Sequence, residues 1–163
     1  CAKELYKSNY NIMVLDINAS EERGIDVVRN KIKDFAAKKV SLPENRQKII
    51  ILDEADSMTE SAQQALRVII SDFSLTTRFV FACNDSSQLI SAIQSRCIVL
   101  RYLKLTQEDI RKNVMRVINE KNIEYDEGGL NSLVETTDGD MRYALNNLQS
   151  TVVGFAKLTR ENL

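Results

Sequence analysis

Short apolar runs alternate with longer amphipathic stretches over the first two thirds of the chain. The runs are residues 12–17, 49–52, 79–83 and 98–100. Each run is long enough for a strand, and the stretches between them have helical spacing of their apolar residues. This alternation is typical of βαβ units, in which parallel strands are covered by helices. The pattern therefore predicts an α/β fold with a parallel sheet.

The helical stretches show where helices begin and which face they bury. After the second run, Ser57 and Glu60 have the S-x-x-E spacing of a capping box, which predicts a helix start there. The apolar residues that follow share one helical face, which predicts a helix docked on the sheet. They are Ala62, Ala65, Leu66, Ile69 and Phe73.

From about Leu103 the pattern changes, because no further strand candidate is found. Three helices are predicted instead, over residues 107–121, 127–136 and 141–157. Thr106, Asp126 and Asp140 precede them, and these residue types are favoured N-caps. The sequence therefore predicts a helical second unit.

Charge and composition restrict the chemistry. The 163 residues include 22 Lys and Arg and 23 Asp and Glu, which gives a formal net charge of -1. An anionic partner must therefore bind to a local basic patch, because the protein as a whole has no positive field. The sequence contains no histidine, which excludes Ser-His and Cys-His nucleophile pairs and His-ligated metals. Carboxylates, amides and guanidinium groups remain.

Cysteine usage and hydropathy indicate an intracellular compartment without a membrane span. The three cysteines are an odd number without CxxC spacing, so neither a disulfide framework nor a zinc site is supported. No apolar run approaches the roughly 18 residues of a membrane span, and no signal peptide is visible. The chain begins at Cys1 in a pattern that resembles a helix already under way, so we interpret it as a fragment.

The strongest local motif is an apolar run that ends in two carboxylates, Asp53 and Glu54. The carboxyl ends of strands are where open α/β sheets bind ligands. In phosphoryl-transfer sites an aspartate here holds Mg²⁺, and the next glutamate can orient or deprotonate the attacking water. The alternative is that both acids merely end the strand in a solvated turn.

Asn84 follows the next strand candidate and could bind a water molecule and a phosphate together. Its alternative is an Asx-turn that starts the loop.

Arg96 precedes the last apolar run. A functional role for it would be in trans, as an arginine finger supplied to a neighbouring subunit, and the alternative is an ordinary surface arginine. Arg142, in the first turn of the last helix, needs a compensating anion, which a phosphate, Asp138 or Asp140 would provide.

Basic residues could contact a phosphate backbone. Residues 21–50 carry eight Lys or Arg against five acids. The candidates for phosphate contacts are Arg29, Lys33 and Arg67, and the alternative is a solvated helix face.

Five strings, in order, resemble the small subunits of replication factor C, the eukaryotic clamp-loader AAA+ ATPases. They are LDINASEERGID (15–26), ILDEADSMT (51–59), QQALR (63–67), QSRC (94–97) and GDMRYALNNLQ (139–149). The resemblance implies a truncated AAA+ P-loop NTPase core over residues 1–102 and a helical lid domain over residues 103–163.

The resemblance also implies a role for each candidate residue, with ATP and Mg²⁺ as cofactors of the full-length protein. Arg29, Lys33 and Arg67 would face primer-template DNA. The implied nucleotide-site roles are Asp53 as the Walker B acid on the metal side, Glu54 as catalytic base, Asn84 as sensor 1, Arg142 as sensor 2, Arg96 as the finger given to a neighbouring subunit, and Asn18 as a switch residue.

The implied function is that of a clamp-loader subunit in the nucleus, which uses ATP binding and hydrolysis to open the sliding clamp and load it onto primer-template DNA during replication and repair. The implied partners are other clamp-loader subunits, the clamp and DNA, with no membrane. An alternative is an ATPase-inactive scaffold subunit that supplies only Arg96. A DEAD-box helicase, suggested by residues 53–56, is disfavoured because no Ser-Ala-Thr motif follows.

The sequence departs from the family at several points. No G-x-x-x-x-G-K-[ST] loop is present to hold the α- and β-phosphates, so this chain alone is expected not to hydrolyse ATP. Residues 1–10 resemble the end of the helix that follows such a loop, and the family's helical collar would follow residue 163. Val68 and residues 91–92 replace an arginine and a Glu-Pro pair expected from close relatives.

Overall fold

The computed structural model describes residues 2–21, 25–40 and 46–162. The chain forms two compact units, Cys1–Val99 and Leu100–Leu163. The boundary predicted from the resemblance lies three residues later, between residues 102 and 103. Within the described ranges, no helix is both long and apolar enough to cross a bilayer.

The first unit is built on a three-stranded parallel sheet. Its strands are β1 (Val14–Asn18), β2 (Lys48–Asp53) and β3 (Thr77–Phe81), in the order β1-β2-β3. Asn18 lies opposite Asp53, and Leu52 lies opposite Phe81. Since all three strands run in the same direction, their carboxyl ends meet at one edge of the sheet.

Helices and single turns connect these strands. Before β1 lie α1 (Ala2–Tyr6), a 3₁₀ turn (Lys7–Asn9) and α2 (Tyr10–Met13). Between β1 and β2 the chain forms α3 (Ile25–Val27), a π-helical turn (Val28–Ile32) and α4 (Lys33–Ala37). After β2 come a 3₁₀ turn (Ala55–Ser57) and α5 (Glu60–Phe73), and after β3 a 3₁₀ turn (Ser86–Gln88) and α6 (Ser91–Gln94).

The core of the first unit lies between β2 and its helices. Ile50 and Leu52 are buried on one face of β2, while Ile49 and Ile51 on the other face keep partial exposure. Ile32 and Leu66 pack into the same cluster from the helical side. The alternating apolar positions of the sequence therefore build the core as expected.

The start of α5 differs from the predicted capping box. Ser57 lies in the 3₁₀ turn, and the side chain of Thr59 caps the helix by accepting from the N–H of Ala62. The physical reason is the chain reversal after β2, which consumes residues 54–57 before a helix can begin. Thr59 supplies the same hydroxyl chemistry two residues later.

The predicted strand at residues 98–100 is absent. This segment has no strand hydrogen bonds, and Ile98 and Leu100 are 89% and 72% exposed. An apolar run becomes a strand only when a neighbouring strand satisfies its backbone groups. In the described part of the chain, β3 pairs with β2 alone and residues 98–100 pair with no strand.

The second unit is helical, as predicted. It contains α7 (Gln107–Lys121), α8 (Glu127–Thr136) and α9 (Met141–Phe155), capped by Thr106, Asp126 and Asp140. Thr106 and Asp109 form a complete capping box. The prediction missed two strands, β4 (Glu124–Tyr125) and β5 (Lys157–Leu158), which pair in parallel. Strands of two residues are too short to produce a periodic signal.

A buried lysine joins α4 to the sheet. Lys48 is 3% exposed, and its Nζ donates hydrogen bonds to the carbonyls of Phe35, Ala36 and Lys38. These carbonyls lie at the end of the helix, where intrahelical donors run out. Burial lowers the pKa of the Lys48 ammonium. The lysine is therefore a C-terminal cap delivered from a neighbouring strand.

Replacing Lys48 with Met tests this cap. The substitution keeps most of the aliphatic stem but leaves three carbonyls without their donor. We expect the free energy of local opening of residues 33–38, measured by amide hydrogen exchange, to fall by about 1–3 kcal/mol. The exposed Lys39→Met is the matched control, and equal protection in both variants would contradict the assignment.

Candidate functional site

The ends of β2 and β3 are held together by backbone hydrogen bonds. The Ala82 N–H donates to the Leu52 carbonyl at 2.9 Å, and the Ala55 N–H donates back to the Ala82 carbonyl at 2.9 Å. On the other side of β2, the Ala19 N–H donates to the Asp53 carbonyl at 2.8 Å. The residues that follow these strands therefore form one continuous edge.

The two acids after β2 lie on this edge. The side chains of Asp53 and Glu54 are exposed, and the Asp53 carboxylate accepts from the Glu54 N–H at 3.0 Å. Glu54 has left-handed backbone angles, with φ 51° and ψ 42°. A non-glycine residue in this region costs on the order of 1–2 kcal/mol. The fold thus retains a strained conformation at the predicted catalytic position, which is common at functional sites.

Asn84 follows β3 with its side chain exposed, and its backbone is fixed from the β2 side. The Asp56 Oδ2 atom accepts hydrogen bonds from the N–H groups of Asn84 and Asp85, at 3.1 and 3.2 Å. Asp56 therefore joins the segment that carries Glu54 to the segment that carries Asn84. The sequence prediction assigned no role to Asp56.

A buried glutamine forms a second link between the same two loops. Gln63 is 2% exposed, and its Nε2 atom donates to the carbonyls of Met58 and Gln88. Its Oε1 atom accepts from the Ile90 N–H at 2.7 Å. Ile90 immediately precedes α6, so Gln63 connects α5 to the segment that leads to Arg96. The sequence prediction assigned no structural role to Gln63, because residues 63–67 served only as one of the motifs that resemble the family.

Asn18 is the last residue of β1 and is half-buried. Its Oδ1 atom accepts from the N–H and the hydroxyl of Ser20, at 2.8 and 2.7 Å. Its strand position is opposite Asp53. Asn18 therefore belongs to the same sheet edge, and its carbonyl oxygen is used in a local turn.

Arg96 follows α6 and lies beside β3 rather than at the carboxyl edge. It donates to the Ala92 carbonyl at 2.7 Å, and it lines a cavity of about 400 Å³ together with Arg78 and Phe79. No hydrogen bond joins Arg96 to Asp53, Glu54 or Asn84 among the described residues. Its side chain is exposed, and its action in trans stays a prediction.

Arg142 belongs to the second unit and is exposed in the first turn of α9. The Asp140 carboxylate accepts from the N–H groups of Arg142 and Tyr143, at 2.8 and 3.0 Å. Asp138 instead forms an ion pair with Lys104 at 2.5 Å. Asp140 thus supplies the anion that the start of this helix requires.

The turn before α9 requires glycine. Gly139 has φ +85°, and a Cβ atom there would lie 2.9 Å from the Cβ of Lys104. The Gly139-Asp140 pair therefore provides both the left-handed turn and the cap that start the helix.

Two of the three predicted DNA-contacting residues have described side chains. Lys33 on α4 and Arg67 on α5 are exposed, and these helices pack against each other. The side chain of Arg29 lies outside the described part of the structure. No cluster of three or more Cys, Asp or Glu side chains suited to a metal ion is found in residues 2–21, 25–40 and 46–162.

Comparison with known proteins shows which family this chain is similar to. The family model described as DNA polymerase III, delta subunit, matches residues 2–106. Replication factor C subunit 4 of Saccharomyces cerevisiae is 51% identical over 99% of the chain, and that of Schizosaccharomyces pombe is 54% identical over 94%. Replication factor C subunit 5 of Homo sapiens is 44% identical over the whole chain.

The chain belongs to the clamp-loader family. It spans about half the length of the curated relatives it matches, 50% and 45% of the two yeast proteins. The predicted resemblance to replication factor C small subunits is therefore confirmed.

Solved structures support the fold of this clamp-loader chain. The RuvB Holliday junction branch migration motor of Thermotoga maritima superposes with a TM-score of 0.71 over 95% of this chain and 52% of RuvB. Its sequence identity is 16%, so the likeness concerns the fold alone. The predicted α/β fold with a parallel sheet is confirmed.

A thiol reports on the electrostatics of the clamp-loader sheet edge. Burial raises the pKa of the Cys83 thiol, and the nearby carboxylates of Asp56 and Asp85 raise it further because they disfavour a thiolate. Burial alone raises the pKa of Cys97. The two cysteines therefore form an internal comparison.

We expect Asp56→Asn to lower the pKa of Cys83 and leave that of Cys97 unchanged. Removing a negative charge favours the thiolate, so Cys83 should be alkylated by iodoacetamide at lower pH than in the parent protein. Peptide mass spectrometry of alkylation rates against pH would resolve the two cysteines. A shift at both sites, or at neither, would contradict the proximity of Asp56 to Cys83.

Proposed function

We propose that this chain belongs to a clamp-loader subunit that uses ATP binding and hydrolysis to open the sliding clamp and load it onto primer-template DNA. The observation that carries the proposal is the sheet edge, where Asp53, Glu54 and Asn84 follow adjacent parallel strands whose loops are hydrogen-bonded to each other. An acid pair and an amide at such an edge suit phosphoryl transfer.

In this proposal each group has a defined task. The exposed Glu54 carboxylate accepts a proton from the attacking water, or aligns it, as a general base. The Asn84 amide lies on the adjacent strand end, where it can donate to a phosphate oxygen and hold the same water. The strained backbone of Glu54 fixes its direction before substrate binds, so less reorganisation is needed during the reaction.

The residues at this edge fit a nucleotide-bound Mg²⁺. Mg²⁺ prefers oxygen ligands and is usually held by one or two carboxylates together with phosphates, and Asp53 offers an exposed carboxylate. When bound, the ion neutralises charge on the transferred phosphoryl group. The loop that holds the other phosphates is absent from this sequence, so nucleotide binding requires residues that the chain does not contain.

The arginines extend the proposal to an assembly. Arg96 lines a cavity beside β3, and it donates a hydrogen bond to the Ala92 carbonyl rather than to the acids of its own sheet edge, so we propose that it acts on ATP held by a neighbouring subunit. Arg142 acts on the nucleotide of its own subunit. An arginine supplied in trans couples hydrolysis to correct docking, because the site is complete only when two subunits meet.

The remaining parts of the proposal concern DNA, the switch residue and location. Lys33 and Arg67 are exposed on helices that pack together, which suits contacts to a phosphate backbone without regard to base sequence, with Arg29 as a third candidate.

Asn18 lies opposite Asp53 and is proposed as the switch residue at this edge. A role in loading clamps on chromosomal DNA places the protein in the nucleus.

Replacing Glu54 with Gln in the full-length protein tests the function. The protein is assembled with its partner subunits, and ATP hydrolysis is measured with and without clamp and primer-template DNA. We expect the part of the stimulated kcat that this subunit contributes to fall by about 10²–10⁴-fold while KM for ATP changes little, because a general base is lost and the binding groups remain. Turnover at the sites of neighbouring subunits remains.

Glu60→Gln, an exposed acid in the first turn of α5, is the matched control and should keep parental activity. An unchanged rate in Glu54→Gln would refute hydrolysis at this site. It would favour the alternative of a scaffold subunit that contributes only Arg96.

A further inference from the structure

We propose that Asp56 is a positioning residue for ATP hydrolysis, which holds the Asn84 segment at a fixed place relative to Glu54. The inference rests on the proposed function, since it concerns the same site. It differs from the roles given to Asp53 and Glu54, because Asp56 acts through the backbone of another loop.

The contact itself is unusual for a surface acid. One oxygen, Oδ2, accepts from two successive N–H groups, those of Asn84 and Asp85, across 28 and 29 residues of sequence. Hydrogen bonds to an ionised acceptor are roughly twice as strong as neutral ones. Asp56 is half-buried, whereas Asp53 and Glu54 are exposed. Its Oδ2 atom is therefore engaged by two backbone N–H groups of the protein.

The contact also lies where sheet pairing has ended. The last backbone bonds between the two segments involve Ala82, two residues before Asn84. Beyond that point, the N–H groups of Asn84 and Asp85 have Asp56 as their acceptor, and no other acceptor for them is found within the described ranges. Asp85 in turn caps the next turn by accepting from the Ser87 N–H at 2.8 Å. Without Asp56, the backbone position of Asn84 would depend on this local turn and on the Gln63 link farther along the loop.

The left-handed backbone of Glu54 sets the direction in which the chain continues to Asp56. Glu54 reverses the chain, and the 3₁₀ turn of Ala55–Ser57 then carries Asp56 toward the end of β3. The backbone bond from Ala55 to Ala82 fixes the start of this turn. The acid proposed as the base and the acid proposed as the positioner are thus two residues apart on one rigid turn.

A shift of about 1 Å at a catalytic group can cost on the order of 10²-fold in rate. Asp56→Ala in the full-length protein, assembled with its partner subunits, is therefore expected to lower this subunit's contribution to kcat for stimulated ATP hydrolysis by about 10–100-fold. KM for ATP should change by less than about threefold, since Asp56 touches no substrate. Asp56→Asn keeps one oxygen acceptor and should recover much of the loss.

Hydrogen exchange supplies a readout independent of activity. In Asp56→Ala, the amides of residues 84 and 85 should exchange at least about tenfold faster, while β2 and α5 keep their protection. Asp72→Ala, an exposed acid of α5, is the matched control and should change neither exchange nor rate. Loss of protection across the whole unit, or unchanged exchange at residues 84 and 85, would overturn the inference.

The Glu54→Gln variant separates this inference from the proposed function. If Glu54→Gln abolishes hydrolysis and Asp56→Ala leaves kcat unchanged, the site is active and Asp56 does not position it. If Glu54→Gln has no effect, the proposed function fails, and the claim that Asp56 acts in hydrolysis fails with it. Faster exchange confined to residues 84 and 85 with a reduced kcat, recovered by Asp56→Asn, supports the inference.

Discussion

Parallel pairing of β2 with a strand on each side is the constraint on which the described site depends. It places Asn18, Asp53 and Asn84, which are far apart in sequence, at the ends of three adjacent strands. The pairing is stable because β2 buries Ile50 and Leu52 against the helices, and a shift of one residue would expose them. The apolar core thus fixes which polar residues reach the edge.

Pairing alone does not fix the loops beyond the strands, and polar side chains that are buried or half-buried complete that task. Asp56 and Gln63 both connect the loop after β2 to the loop after β3, and Lys48 joins α4 to the start of β2. Each satisfies backbone groups that the secondary structure leaves without a partner. The same loops hold Glu54 in a left-handed conformation, so part of the folding energy is used to maintain that backbone geometry.

Much of this arrangement could be predicted from sequence. Helical periodicity and N-cap chemistry gave α7 and α8 with their observed bounds, and the apolar runs gave three of the four predicted strands. The prediction of a fourth strand at residues 98–100 was wrong, because hydrophobicity does not show whether a partner strand is present. The links through Asp56 and Gln63 could not be predicted, since hydrogen bonds across more than 20 residues leave no periodic signal.

The central claim is that the carboxyl ends of β2 and β3 form one ATP-hydrolysing site. The most direct test is a structure of the full-length protein in its assembly with Mg²⁺ and a slowly hydrolysed ATP analogue. We expect Mg²⁺ beside the Asp53 carboxylate, with Glu54 and Asn84 both within hydrogen-bond reach of a water in line with the γ-phosphate. A bound nucleotide whose γ-phosphate lies away from these three side chains would contradict it.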